Sequence, residues 1–132
     1  MKIKDLLKPD ISFKITGILR IESEEERFLG PGRIELLENI IKTGSISQAA
    51  KEMGMSYKKA WDMINSMNKQ TLKPIVITHA GGENGGGTIV TEEGKKLIAA
   101  FRKLHDEFRQ SFEAKLTEFL DTSTEFSGEK QL

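Results

Sequence analysis

The chain's most chemically suggestive residues lie close together, between positions 56 and 69. Placed on a helix at 100° per residue, Lys58, Lys59, Asp62, Asn65, Ser66 and Lys69 share one arc. Tyr57, Ala60, Trp61, Met63, Ile64 and Met67 share the other, and Asn68 is the one polar residue among them. The polar arc carries ammonium, hydroxyl, amide and carboxylate groups. Ammonium groups donate to phosphate oxygens or to guanine, hydroxyls to phosphate or to either base type, and a carboxylate can accept from cytosine. Asp62 also stands four residues from Lys58, so orienting that lysine is its simpler role. A solvated helix face would use many of the same residues, and the flanking elements favour the more specific use.

Those elements hold the helix in a defined place. Ser45-Ile46-Ser47-Gln48 has the pattern of a capping box and opens a helix in which Ala49, Ala50 and Met53 point inward. Gly54 supplies a tight turn, Met55 fills the corner, and Ser56 caps the helix that follows. Upstream, Gly30-Pro31-Gly32 precedes a helix from Arg33 to Thr43 with an Ile34, Leu36, Leu37, Ile40 and Ile41 stripe, closed by Gly44. Two helices around a glycine turn form a helix-turn-helix, whose second helix can enter a major groove.

After Pro74, the runs Ile75–Thr78 and Thr88–Thr91 predict two strands joined by a tip over 79–87 with five glycines in nine residues. Thr78, His79, Asn84 and Thr88 are the candidate phosphate or minor-groove contacts of this wing. The tip lacks the Gly-Lys-Ser/Thr step into a helix that a phosphate-binding Walker loop needs. His79 has no neighbouring histidine or cysteine for a metal, and His105 falls mid-helix.

Thr91 caps a long helix with Glu92 and Glu93 in its first turn. Leu97, Phe101, Leu104, Phe108, Phe112, Leu116 and Phe119 form one stripe down it, roughly 30 Å long. Four phenylalanines exceed what a small winged domain covers, so the stripe predicts a dimer seam. At the other end, Ile3, Leu6 and Leu7 precede Pro9 in a short helical segment. Ile11 to Glu22 alternates as a strand with a bulge at Gly17, Glu24 to Glu26 reads as a solvated turn, and Arg27-Phe28-Leu29 as a return strand. Residues 1–121 are expected to form one domain, and 122–132 a flexible tail.

Composition narrows the function. The 132 residues carry 20 basic and 20 acidic side chains. The charge is uneven: residues 44–91 hold five lysines against three acids, and 92–132 hold seven basic against nine acidic residues. That is a local basic footprint, not a polycation. Cysteine is absent, which removes disulfides, thiolate metal sites and thiol nucleophiles. There is no nucleophile–base pair or carboxylate dyad, so no enzyme activity and no cofactor are expected. No apolar run approaches about 18 residues and no secretory signal opens the chain, so a cytoplasmic protein without a membrane partner is expected.

Three strings carry a family resemblance: Gly30-Pro31-Gly32-Arg33-Ile34-Glu35-Leu36-Leu37, Gly44-Ser45-Ile46-Ser47-Gln48-Ala49-Ala50 and Met55-Ser56-Tyr57-Lys58-Lys59-Ala60-Trp61. With the glycine tip and the helix after Thr91-Glu92-Glu93-Gly94, the chain resembles the N-terminal DNA-binding domain of the ModE family of molybdate-responsive, LysR-like regulators over roughly residues 11–115. The resemblance implies an α+β winged helix-turn-helix with an N-terminal β-hairpin and a long C-terminal dimerisation helix. It implies a homodimeric transcription regulator on double-stranded DNA. The DNA-contact residues are then Ser45, Ser47, Gln48, Ser56, Tyr57, Lys58, Lys59, Asp62, Asn65, Ser66 and Lys69, with the wing residues above. Leu6, Leu7 and the stripe from Leu97 to Phe119 form the dimer interface. The family's C-terminal molybdate-binding β-barrel modules have no counterpart in the sequence, so a separate effector-sensing protein is a candidate partner. A protein-interaction module or an oxyanion-binding module on the same fold are the alternatives.

Overall fold

The computed structural model describes residues 1–24, 26–79 and 87–124. It is a mixed α and β chain in two compact units: Ile18–Leu104, and Met1–Gly17 with His105–Leu132. The long helix α4 (Glu92–Leu120) runs through both units.

The unit Ile18–Leu104 contains β1 (Ile21–Glu22), β2 (Arg27–Leu29), α1 (Pro31–Thr43), α2 (Ile46–Glu52), α3 (Tyr57–Asn68), β3 (Val76–Thr78), β4 (Thr88–Val90) and the first half of α4 (Glu92–Leu120). Pro31 starts α1, where a missing N–H costs nothing. Gly44 ends it at φ +68° and Gly54 turns between α2 and α3 at φ +65°, both in the left-handed region. The α2 cap is shared between two residues. Ser45 Oγ accepts from the Gln48 N–H, while the Ser45 N–H donates to Thr43 Oγ1, not to the Gln48 side chain. Ser56 Oγ caps α3 by accepting from the Lys59 N–H.

Burial explains why these helices pack as they do. Ile34, Leu36, Leu37 and Ile40 of α1 meet Ala49 and Ala50 of α2 and Ala60, Ile64 and Met67 of α3 in one core. Trp61 and Met63 pack against its edge. Tyr57, placed on the apolar arc by the wheel, is exposed, because the first residue of α3 lies beyond the rim of this core. Val76 and Val90 pair across the β3–β4 hairpin and point into the core, while Ile77 and Ile89 pair on its outer face. Thr91 fixes the root of α4: its Oγ1 accepts from the Gly94 N–H and donates to Pro74 O.

The expected strand from Ile11 to Glu22 is mostly absent. Only Ile21–Glu22 pairs with β2, and residues 11–20 have no regular structure. A strand needs a neighbour for its N–H and C=O groups, and the three residues of β2 match only its last two. Gly17 is not a bulge. A Cβ there would lie 3.2 Å from the Phe112 ring, so the glycine makes room for an aromatic side chain.

The unit of Met1–Gly17 and His105–Leu132 holds a 3-10 turn over Ile3–Leu6 and the second half of α4. The Ile3 N–H donates to Thr122 O, the Thr124 N–H donates to Met1 O, and Lys2 bridges Ser123. Lys2 and Lys4 both pair with Asp121. Residues 122–124 of the expected tail are therefore tied to the N-terminus, and the rest of it lies outside the described residues. The expected dimer stripe also divides. Phe101 is 2% exposed and Leu97 packs beside it in the core of Ile18–Leu104. Those two side chains pack within the fold of a single chain. Leu7, Leu104, Phe112 and Leu116 are half-buried, while Leu6, Phe108 and Phe119 are exposed. Phe108 and Phe112 meet edge to face at 6.2 Å.

Candidate functional site

The start of α3, the start of α2 and the base of the hairpin converge. A main-chain bond brings them together: the Thr88 N–H donates to Gly44 O at 3.0 Å, joining β4 to the turn before α2. The hairpin closes with the His79 N–H donating to Gly87 O. Between these segments lies an open cleft of about 240 Å³, lined by Ser45, Ser47, Tyr57, Thr78, His79 and Thr88 together with Gly44, Ile46 and Gly87. Six of the candidate contact residues thus share one concavity, whose described lining offers hydroxyls and an imidazole. Such a lining donates readily to an anionic oxygen.

Beside it runs the outer face of α3. Ser56, Tyr57, Lys58, Lys59, Asp62 and Asn65 are all exposed there. Lys58 Nζ donates to Asp62 Oδ2 at 2.8 Å, so Asp62 orients a lysine. That hydrogen bond, followed by the aspartate charge, raises the Lys58 pKa and keeps the ammonium charged. Gln48 is exposed on α2. Asn84 lies outside the described residues.

Ser66 and Lys69 belong to a different cluster, turned toward the β1–β2 turn. Ser66 Oγ donates to Glu26 Oε2 at 2.6 Å and accepts from Arg33 Nη1 at 3.0 Å. Lys69 Nζ lies 3.1 Å from Glu26 Oε1. The same Arg33 nitrogen donates to the carbonyls of Arg27 and Phe28, and Gln70 Nε2 donates to Arg27 O. The Ser66 bond, then Lys69, holds the Glu26 carboxyl below the usual carboxylate range. Burial lowers the Arg33 pKa, opposed by the Glu26 charge. Within the β1–β2 turn, Glu26 is therefore a half-buried carboxylate held by hydrogen bonds.

Asn68, the polar residue on the apolar arc, explains the hairpin's position. Its Oδ1 accepts from the N–H groups of Ile75 and Val76, and its Nδ2 donates to Val76 O. It joins the end of α3 to β3. Its place on the apolar arc was the sequence signal; Glu26, Arg33 and Gln70 carried none, because their partners are distant in sequence.

Among the described residues no group of three or more His, Asp or Glu side chains is placed to hold a metal ion. Among them also, no helix is long and apolar enough to cross a membrane.

No family model matches the chain. Individual proteins do. The molybdenum transport protein ModE of Azotobacter vinelandii is 39% identical over 106 residues, covering 80% of this chain and 39% of that protein. The DNA-binding transcriptional dual regulator ModE of Escherichia coli K12 is 40% identical over 96 residues, 73% of this chain and 37% of that one. The molybdenum-pterin-binding protein MopB of Rhodobacter capsulatus is 49% identical over 73 residues, 55% of this chain and 27% of that one. These relatives bear the names of regulators, transport proteins and binding proteins, not enzymes. The chain spans less than half the length of each. Over the part it shares with them, the chain is similar to proteins of the ModE family.

Proposed function

We propose that the chain is a transcription regulator that binds double-stranded DNA through a winged helix-turn-helix, with α3 in the major groove and the β3–β4 hairpin as the wing. The observation that carries this is the continuity of the exposed α3 face with the hydroxyl-lined cleft between α2 and the hairpin. Lys58 and Lys59 donate to guanine or phosphate, and Asn65 and Ser56 reach bases or backbone. Ser45, Ser47, Thr78, His79 and Thr88 hold a phosphate of the flanking backbone. The regulator name carried by the Escherichia coli relative supports the same role.

The chain acts as a homodimer in this proposal. Leu6, Phe108 and Phe119 are exposed on the unit of Met1–Gly17 and His105–Leu132, and a second copy would cover them. Two copies related by a two-fold axis would favour a pseudo-palindrome with half-sites about 34 Å apart, or a multiple of that. An oxyanion-binding role without DNA readout has less support, since it leaves the exposed Lys58 and Lys59 of α3 without a use. Calorimetric titration with molybdate decides that alternative.

The test is anisotropy with a labelled duplex selected by the chain from a random pool. Lys58→Ala with Lys59→Ala should weaken binding at least tenfold, at about 1 kcal/mol or more for each lost charge-assisted contact. Undiminished binding by the double variant overturns the proposal.

A further inference from the structure

The lysines of α3 and its C-terminal cap are held unequally. Lys58 has its counter-ion on its own helix, one turn away in Asp62. Lys69 has its counter-ion on another element, in Glu26 of the β1–β2 turn. Glu26 cannot swing away freely, because Ser66 Oγ donates to its other oxygen at 2.6 Å and Arg33 in turn donates to that hydroxyl. Ser66 and Lys69 also stand three residues apart, so both donors reach one carboxylate from a single helical end. No ion pair is found for Lys59 among the described residues, and it extends from the exposed face.

An exposed ion pair is weak by itself, and a phosphate backbone of high charge density competes for the cation. A carboxylate held in place by a second hydrogen bond competes better than a mobile one, since its ordering entropy is already spent. A backbone contact from Lys69 would add affinity for every sequence alike. Keeping that lysine on Glu26 lowers sequence-independent affinity and leaves base contacts untouched.

We propose that Glu26 sets the sequence-independent part of DNA affinity: it holds Lys69 against the β1–β2 turn and withholds it from the DNA backbone. This inference rests on the DNA-binding function proposed above. Glu26→Gln keeps an oxygen to accept from Ser66 but loses the charge that retains Lys69. Salt titrations of the full chain on a random-sequence duplex and on a selected duplex read the effect. Glu26→Gln should steepen the slope of log affinity against log salt by about 0.9 on both duplexes. Its gain over the native chain should then grow about threefold between 0.2 M and 0.05 M salt. Adding Lys69→Gln should remove the gain, and Lys69→Gln alone should leave the native slope unchanged.

An unchanged slope in Glu26→Gln overturns the inference, as does a gain that survives Lys69→Gln. A native slope that already flattens in Lys69→Gln shows Lys69 on the DNA and overturns it too. These outcomes leave the DNA function standing. Absence of salt-dependent binding by the native chain on any duplex instead overturns that function, and this inference with it.

Discussion

The two units bury their apolar side chains very differently. Ile18–Leu104 contains every fully buried hydrophobic side chain among the described residues, from Leu29 to Phe101. The unit of Met1–Gly17 and His105–Leu132 contains none, yet presents Leu6, Ile11, Phe13, Ile15, Phe108 and Phe119 to solvent. The difference teaches that one helix can serve two purposes. The first half of α4 closes a core with Phe101, while the second half carries the same heptad-like stripe with nothing of comparable depth beneath it. A periodic apolar stripe states that a face will be covered; it does not state by what.

The sharpest way to break this contrast is to truncate one phenylalanine in each half. Phe101→Ala should lower unfolding stability by about 3–5 kcal/mol, as for other buried aromatics. Phe119→Ala should change it by about 0.5 kcal/mol or less at protein concentrations where the chain is monomeric. At higher concentration, sedimentation should show the Phe119→Ala chain dissociating more readily than the native chain. Equal losses of stability in the two variants would remove the distinction between the units.

Gly94 gives the next largest effect. A Cβ there would lie 2.6 Å from Ile75 O and from Val90 Cγ1, against the root of the hairpin. Gly94→Ala should cost roughly 1–3 kcal/mol by overpacking, despite the better helix propensity of alanine. Chemical denaturation measures it, and a stabilised variant would show that α4 does not press on β3 as described.

Asn68→Ala should cost about 1–2 kcal/mol, since it leaves the N–H groups of Ile75 and Val76 without their side-chain acceptor. Hydrogen exchange should quicken at those two amides first, while the α1 amides keep their protection.

The smallest effect is in pH dependence. The Glu26 pKa is lowered in the folded chain, chiefly by the Ser66 hydrogen bond and then by Lys69. Its contribution is therefore present above the ordinary carboxylate pKa and is lost as pH falls through the lowered one. Thermal melts of the native chain should weaken more steeply in acid than those of Glu26→Gln. Parallel acid limbs would mean that the pair adds nothing measurable.

Much of the fold was legible because its signals are local. Ser45, Ser56 and Thr91 sit at caps, Gly44 and Gly54 at left-handed turns, and Pro31 at a helix start, each within a few residues of what it controls. The strand expected over 11–22 failed for the opposite reason: alternation is local, but a strand also needs a partner of matching length. The exposed polar face was legible where a single helix decides it, as for Lys58, Lys59 and Asn65. It was not legible at Ser66 and Lys69, whose polar groups engage Glu26 some 40 residues upstream. A wheel assigns a side chain to a side of its helix and is silent about what another element brings there.

Salt-titrated binding of Lys59→Ala beside the native chain tests whether the exposed α3 face and the adjoining cleft contact a DNA duplex. If they do, the native affinity falls linearly in log–log coordinates with rising salt. The slope is then shallower by about one in the variant, with weakening on both random and selected sequences or a larger loss on the selected one if Lys59 reads a base. Native binding whose salt dependence and affinity do not change in Lys59→Ala would contradict that contact.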